Sequence, residues 1–268
     1  MGPEQVRVAD TPHCMLFLIK PLILFFAGLI AGVINAIAGG GTLITFPALI
    51  FYGLPSVGAN ATNTVGVLPG IMSSLWGYRR ELMTQTRWVW RFTITSLAGG
   101  FIGAYLLLHT GEARFREFDP YLILFATLLF TFSGQISRWL QVEAQVVEKS
   151  RHAVALAIAF QFCVAIYGGY FGAGIGIFML AALAVMGLKD IHEMNALRIC
   201  LGVMLNAVAA IYFIASGLIF WTEAGLIAAG TITGGYAGPY IARAVGVKVI
   251  RVFVSITGFV MGLYFLVR

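Results

Sequence analysis

Charge is what this chain has least of. Only 10% of its 268 residues are Asp, Glu, Lys or Arg, whereas soluble domains carry about 25%. With 60% of residues hydrophobic, one core of this size could not hide the apolar surface, so most of the surrounding solvent must be lipid. Cysteine is nearly missing too: Cys14, Cys163 and Cys200 show no CxxC spacing. That argues against a disulfide framework or a thiolate metal site, and the three read as packing residues. No HExxH, GxSxG or paired CxxC occurs, and His13, His109, His152 and His192 all fall near segment ends. Catalysis inside the membrane has no visible residues, so neither an enzyme nor a cofactor is expected. Residues Met1 to His13 lack a basic region followed by a cleavage-type sequence, and the first apolar segment is expected to stay.

What is abundant points the same way. The 32 glycines would weaken soluble helices, but in lipid they let helix backbones approach closely and break near a site. The formal charge of +6 could suggest a nucleic-acid partner; the basic residues, however, are scattered between apolar stretches and read as topology signals.

A bilayer core about 30 Å thick takes roughly 20 apolar residues per helix. Eight segments qualify: Pro21 to Ala38, Asn60 to Tyr78, Trp88 to Leu108, Pro120 to Trp139, Ala153 to Phe171, Asn195 to Ile214, Trp221 to Ala242 and Val249 to Val267. Thr42 to Tyr52 and Gly176 to Gly187 are apolar but only about 17 Å long as helices, too short to cross unaided.

The chain also repeats itself at a spacing of about 135 residues, as duplicated transporter halves do. Gly53-Leu54 recurs as Gly187-Leu188, Asn60 as Asn195, and the run from Gly99 to Tyr105 as Gly234 to Tyr240. Gly111, Arg116 and Phe118 match Gly246, Arg251 and Phe253. The expected fold is therefore an all-α polytopic membrane protein of two inverted-topology repeats. Each would hold four long helices plus one short or broken one, about ten segments in total. The expected boundaries are an N-terminal tail at 1–20, a first repeat at 21–139, a cytoplasmic linker at 140–152 and a second repeat at 153–268. Placing the Arg79 to Arg91 loop inside puts eleven Lys and Arg in the cytoplasm against five outside. By the positive-inside rule both termini then face outward. Treating either short segment as re-entrant would change that count.

Each short segment follows a glycine-rich break: Asn35-Ala36-Ile37-Ala38-Gly39-Gly40-Gly41-Thr42 in the first half, Gly172-Ala173-Gly174-Ile175-Gly176 in the second. Such breaks expose backbone N–H groups at a helix start, where anions are favoured. The competing reading is a tight turn that only lets helices pack. Beyond the short segments, Asn60, Thr62, Asn63 and Asn195 stand at polar helix starts, as helix caps or as the wall of a polar cavity. Arg198 lies three residues past Asn195 on the same face. An arginine there faces a cavity or a partner, and its planar fork suits oxyanions; snorkelling to the interface or pairing with Glu193 would be the alternative. No acid is evident in the middle of a segment, which favours an anionic over a cationic substrate. His192 and Glu193 are weak candidates for accepting coupling protons. The Gly99/Gly103 and Gly234/Gly238 pairs follow the small-xxx-small pattern of close helix contact.

The run from Ala27 to Leu75, through Gly28, Gly32, Asn35, Ala38-Gly39-Gly40-Gly41, Pro47, Gly53 and Ala61-Thr62-Asn63, resembles the sulfite exporter TauE/SafE family of membrane permeases. Gly172, Gly174, Gly176, Gly187, Asn195 and Arg198 echo it in the second half. The resemblance implies a secondary carrier of sulfur-containing anions such as sulfite, organosulfonates or thiosulfate, with protons as coupling ion, in a bacterial-type inner membrane. A passive anion channel or a non-transporting membrane scaffold would be the rivals.

Overall fold

The computed structural model describes residues 11–37, 39–84, 86–143, 151–185, 188, 191–245 and 247–268. Among these, eleven helices and no strand are present. The first half holds α1 (Thr11–Ile37), α2 (Thr42–Tyr52), α3 (Ser56–Gly77), a short α4 (Arg79–Thr84), α5 (Thr86–Thr110) and α6 (Glu112–Glu143). The second holds α7 (Arg151–Tyr170), α8 (Ile175–Val185), α9 (Ile191–Ala215), α10 (Trp221–Val245) and α11 (Val247–Val267). Several helices start earlier than hydropathy predicts. α3 begins at Ser56 and α9 at Ile191, so Asn60 and Asn195 sit inside their helices and do not cap them. Part of the expected linker is helical as well, because α6 runs to Glu143 and α7 begins at Arg151.

Among the described residues, four helices are long and apolar enough to cross a bilayer: Lys20–Ile37, Trp88–Thr110, Glu193–Ala215 and Val249–Val267. The other long helices are diluted by the polar residues and glycines with which they pack, as α3 is by Asn60, Thr62, Asn63 and Thr64. Large apolar side chains cover the outside, among them Phe26, Trp90, Ile94, Leu128, Ile211 and Ile256. An exposed apolar surface of this extent is a face for lipid acyl chains. Cys163 belongs to it, being exposed on α7, which corrects its reading as a packing residue.

Glycines set the helix contacts. Gly28 lies against Ile227 and Gly230, and Gly32 against Thr231 and Gly235, so α1 and α10 run in the same direction. Gly99 against Ala165 and Gly103 against Ile166 and Tyr170 make α5 and α7 parallel in the same way. A Cβ on Gly234 would be driven into the Leu29 carbonyl, the close approach that only glycine permits. The first helix of each half thus packs on the third long helix of the other half, a reciprocal arrangement consistent with two repeats of opposite orientation.

The short helices double back. Gly41 lies beside Ala31, and the Lys20 ammonium stands 5.5 Å from the Tyr52 ring, so α2 returns antiparallel along α1. The turns after α2, α5 and α9 gather at one end of the bundle, together with Arg268 beyond α11.

Candidate functional site

Both glycine breaks arrive at one place. Gly39, Gly172 and Gly174 have φ of +70°, +81° and +74°, a left-handed backbone that side-chain-bearing residues resist. These turns let long helices hand over to α2 and α8 within a few residues. A Cβ on Gly39 would stand 2.5 Å from Arg198 Nη1 and 3.3 Å from the Gly176 Cα. Three residues from the two halves therefore touch where α2, α8 and α9 converge.

A cavity of about 50 Å³ opens there. Of the residues singled out in the sequence, Asn35, Gly39, Gly40, Thr42, Gly172, Gly176 and Arg198 line it. Val67, Ile71, Met179 and Ile199 supply apolar wall. Asn206 and Gly202 also line it and escaped the sequence reading, although the fourfold spacing Arg198, Gly202, Asn206 marks one stripe of α9. The Asn206 amide donates to the Gly202 carbonyl at 2.8 Å.

Arg198 is 4% exposed, which rules out snorkelling to the interface. Its Nε and Nη2 meet no acceptor among the described residues. A guanidinium so buried and so poorly satisfied is costly in any protein, more so in one surrounded by lipid.

The other predicted residues serve the walls behind the cavity. Asn35 Oδ1 accepts the N–H groups of Gly40 at 3.2 Å and Gly41 at 2.8 Å. The amides expected to be free for a ligand are thus capped by the preceding helix, since lipid offers no water to satisfy them. Asn63 donates to Thr42 Oγ1 at 3.3 Å and accepts from Thr45, fastening α3 to α2. Thr62 Oγ1 accepts the Phe220 N–H at 3.1 Å, holding the turn before α10. Asn60 reaches into the other half, its amide donating to the Tyr170 carbonyl at 2.8 Å. Asn60 Oδ1 and Asn195 Oδ1 are buried with no donor among the described residues. Gly41, Asn60, Thr62, Asn63, Gly174 and Asn195 lie outside the cavity lining. Glu193 sits half-buried in the first turn of α9 and away from the lining. The side chain of His192 lies outside the described residues.

One ionisable group was missed altogether. Asp119 is 5% exposed, in the polar first part of α6 that precedes the apolar run from Pro120. Ser56 Oγ donates to its Oδ2 at 2.8 Å. Burial pushes the carboxyl up to about 6, against the pull of the Ser56 bond and Arg116, with Glu112 adding to the rise. Its place at a segment end made it look like a surface acid.

These features define a multi-pass membrane protein of the transporter class, a reading that relatives bear out. The chain is 30% identical to a "Probable membrane transporter protein" of Haemophilus influenzae, over 89% of its own length and 91% of the relative's. It is 26% identical to the "Probable membrane transporter protein YfcA" of Escherichia coli K12, covering 92% of this chain and 90% of that one. A further relative, "Probable membrane transporter protein ORF9" of a Sinorhizobium species, is 26% identical over 85% of each chain. The family model described as Sulfite exporter TauE/SafE matches residues 24–265, and the chain belongs to that family. No solved structure matches it.

Proposed function

We propose that the chain is a secondary carrier of small sulfur oxyanions, with the cavity between the two glycine breaks as its substrate site. The observation that carries this reading is Arg198, buried at the meeting point of both halves with guanidinium N–H groups left over. An oxyanion would take those donors in a charge-assisted, bidentate fashion and cancel a charge that lipid cannot solvate. Asn35, Thr42 and Asn206 offer further polar atoms on the same wall. A volume of about 50 Å³, against the roughly 10–15 Å³ that one water needs, leaves room for a few waters or one small oxyanion. That size favours sulfite over the longer organosulfonates.

The positive-inside bias supports an inner-membrane orientation with both chain ends outside. Reciprocal packing of the halves supports alternating access by rocking of one against the other, and the family membership is what suggests protons as the coupling ion. Calorimetric titration of the purified protein with sulfite, thiosulfate and taurine tests the site. Sulfite is expected to bind, and Arg198→Gln to weaken it by about tenfold to a hundredfold, as loss of a charged hydrogen bond costs about 1.5–3 kcal/mol. Unchanged affinity in a folded Arg198→Gln protein would remove this site. In proteoliposomes a carrier concentrates sulfite and loses it to a protonophore, whereas flux that stops at equal concentrations would make the protein a channel.

A further inference from the structure

At the end of the bundle that holds Arg268, a cleft of about 800 Å³ opens between the Gly53–Ser56 turn, the start of α6 and the end of α11. Asp119 forms part of its wall yet is almost wholly buried. Through Ser56 it grips the first residue of α3. Glu112, two turns earlier on α6, holds the same place: its carboxylate accepts the N–H groups of Ser56 and Val57. Two acids of α6 thus anchor the start of the helix whose later residues Val67 and Ile71 line the anion cavity. From Asp119 the buried stripe Phe115, Ile123, Ala126 and Phe130 follows α6 inward, and the Phe130 ring lies against Gly40 at the first break.

Packing does not require an acid here. The offset that sets Arg116 opposite Arg251 and Phe118 opposite Phe253 sets Asp119 opposite Val254, which is fully buried in the second half. The charged surroundings are few. On α6 they are Glu112, Arg116 and Glu117, and beyond α11 Arg268 faces the same cleft. From α2 and α3 the cleft receives only Ile50, Gly53, Leu54, Pro55 and Ser56, none of them ionisable. His109 at the end of α5 is stacked on Tyr105 instead.

We propose that Asp119 is a proton-binding latch: ionised, its carboxylate accepts the Ser56 hydroxyl and holds the first turn of α3, and on taking up a proton it becomes the poorer acceptor and loosens that turn. The proton passes between the carboxyl and water in the cleft, with no other reactant. Burial already lifts this carboxyl to about 6, so the latch is closed above that pH and opens below it. The link to transport rests on the carrier reading given above; the latch itself does not.

Infrared difference spectra and amide exchange of the full chain in lipid nanodiscs test it across a pH series. A protonated-carboxyl band is expected to fade as pH rises through about 6 in the wild type and to be missing in Asp119→Asn. Exchange at residues 56–60, corrected for the chemical rate, is expected to rise as the pH falls through the same interval and to stay flat in Asp119→Asn. Ser56→Ala removes a donor to the carboxylate, so the midpoint is expected to move to higher pH, and this variant carries the test should Asp119→Asn fold poorly. A band that survives in Asp119→Asn, an exchange profile shared with wild type, or an unmoved midpoint in Ser56→Ala would overturn the latch. For the coupling, Asp119→Asn is expected to bind sulfite normally but to lose its accumulation under a pH gradient; retained accumulation overturns that step. Arg198→Gln is expected to do the reverse, keeping the pH-dependent exchange while losing sulfite binding. A wild type that binds no sulfite counts against the carrier reading, while the infrared band still judges Asp119.

Discussion

At the scale of single residues, the site depends on a glycine as much as on an arginine. Gly39 combines a left-handed φ of +70° with the closest approach to the Arg198 guanidinium. A side chain there is strained by about 1–2 kcal/mol for the backbone alone, and its Cβ would also push Nη1 out of place. Gly39→Ala is therefore expected to lower the melting temperature and weaken sulfite binding together, whereas Arg198→Gln should weaken binding and leave melting unchanged or raise it, since a buried unpaired charge is removed. Thermal unfolding followed beside calorimetry checks both. If Gly39→Ala melted and bound like wild type, the contact with Arg198 would have no consequence. Arg198 was legible in the sequence because charge is so rare in this chain that one arginine inside an apolar run stands out. Asp119 was not, because a residue that precedes the apolar run by one position looks the same whether it faces water or the α3 terminus; only the fold of α3 onto α6 buries it.

Helices carry the next level of the argument, and here the sequence spoke clearly about existence and poorly about ends. Hydropathy located α2 from Thr42 to Tyr52 as it stands, since a glycine run and Gly53 bound it on both sides. It started α3 and α9 late, because the first turns of both are polar and read as loop. That error turned Asn60 and Asn195 into supposed caps. The actual caps come from elsewhere in the fold: Asn35 covers the start of α2, and Glu112 covers the start of α3. A cap supplied by a neighbouring helix leaves no local signature of the Ser-x-x-Glu kind. Asn35→Ala should destabilise the protein by about 1 kcal/mol, as the loss of a capping oxygen does. Asn35→Asp keeps the acceptor for Gly40 and Gly41 but sets a negative charge on the cavity wall. Its melting temperature is expected to stay near that of wild type while sulfite affinity falls. An Asn35→Asp protein that bound sulfite as well as wild type would mean that Asn35 does not face the ligand.

The whole molecule turns on parity. Two halves of five membrane segments each are related by inversion only if the count is odd, and that count includes the short helices with the coil that leads into them. Lys20 beside Tyr52, the turns at Gly53, Gly111 and Gly217, and Arg268 share one end of the bundle, as an odd number of passes per half requires. The repeat offset of about 135 residues made this arrangement readable before any coordinates, but the sequence alone left re-entrant loops open for both short segments. α2 returning along α1 from Gly41 to Tyr52 brings the chain back to the end where α1 begins. The proposed orientation, drawn from the charge bias, has the Arg268 end outside. Single cysteines at Gly53, Gly111 and Gly217, each exposed, in a background with Cys14, Cys163 and Cys200 replaced by alanine, should react with a membrane-impermeant maleimide on intact cells. One at Arg79, exposed at the opposite end, should react only after the membrane is opened. Labelling of Gly53 and Gly111 from opposite sides would break the inversion and with it the alternating access of a single central site. Uniform reversal of all four would keep the inversion and turn the Asp119 cleft toward the cytoplasm, where the proton supply to the latch would come from the other side.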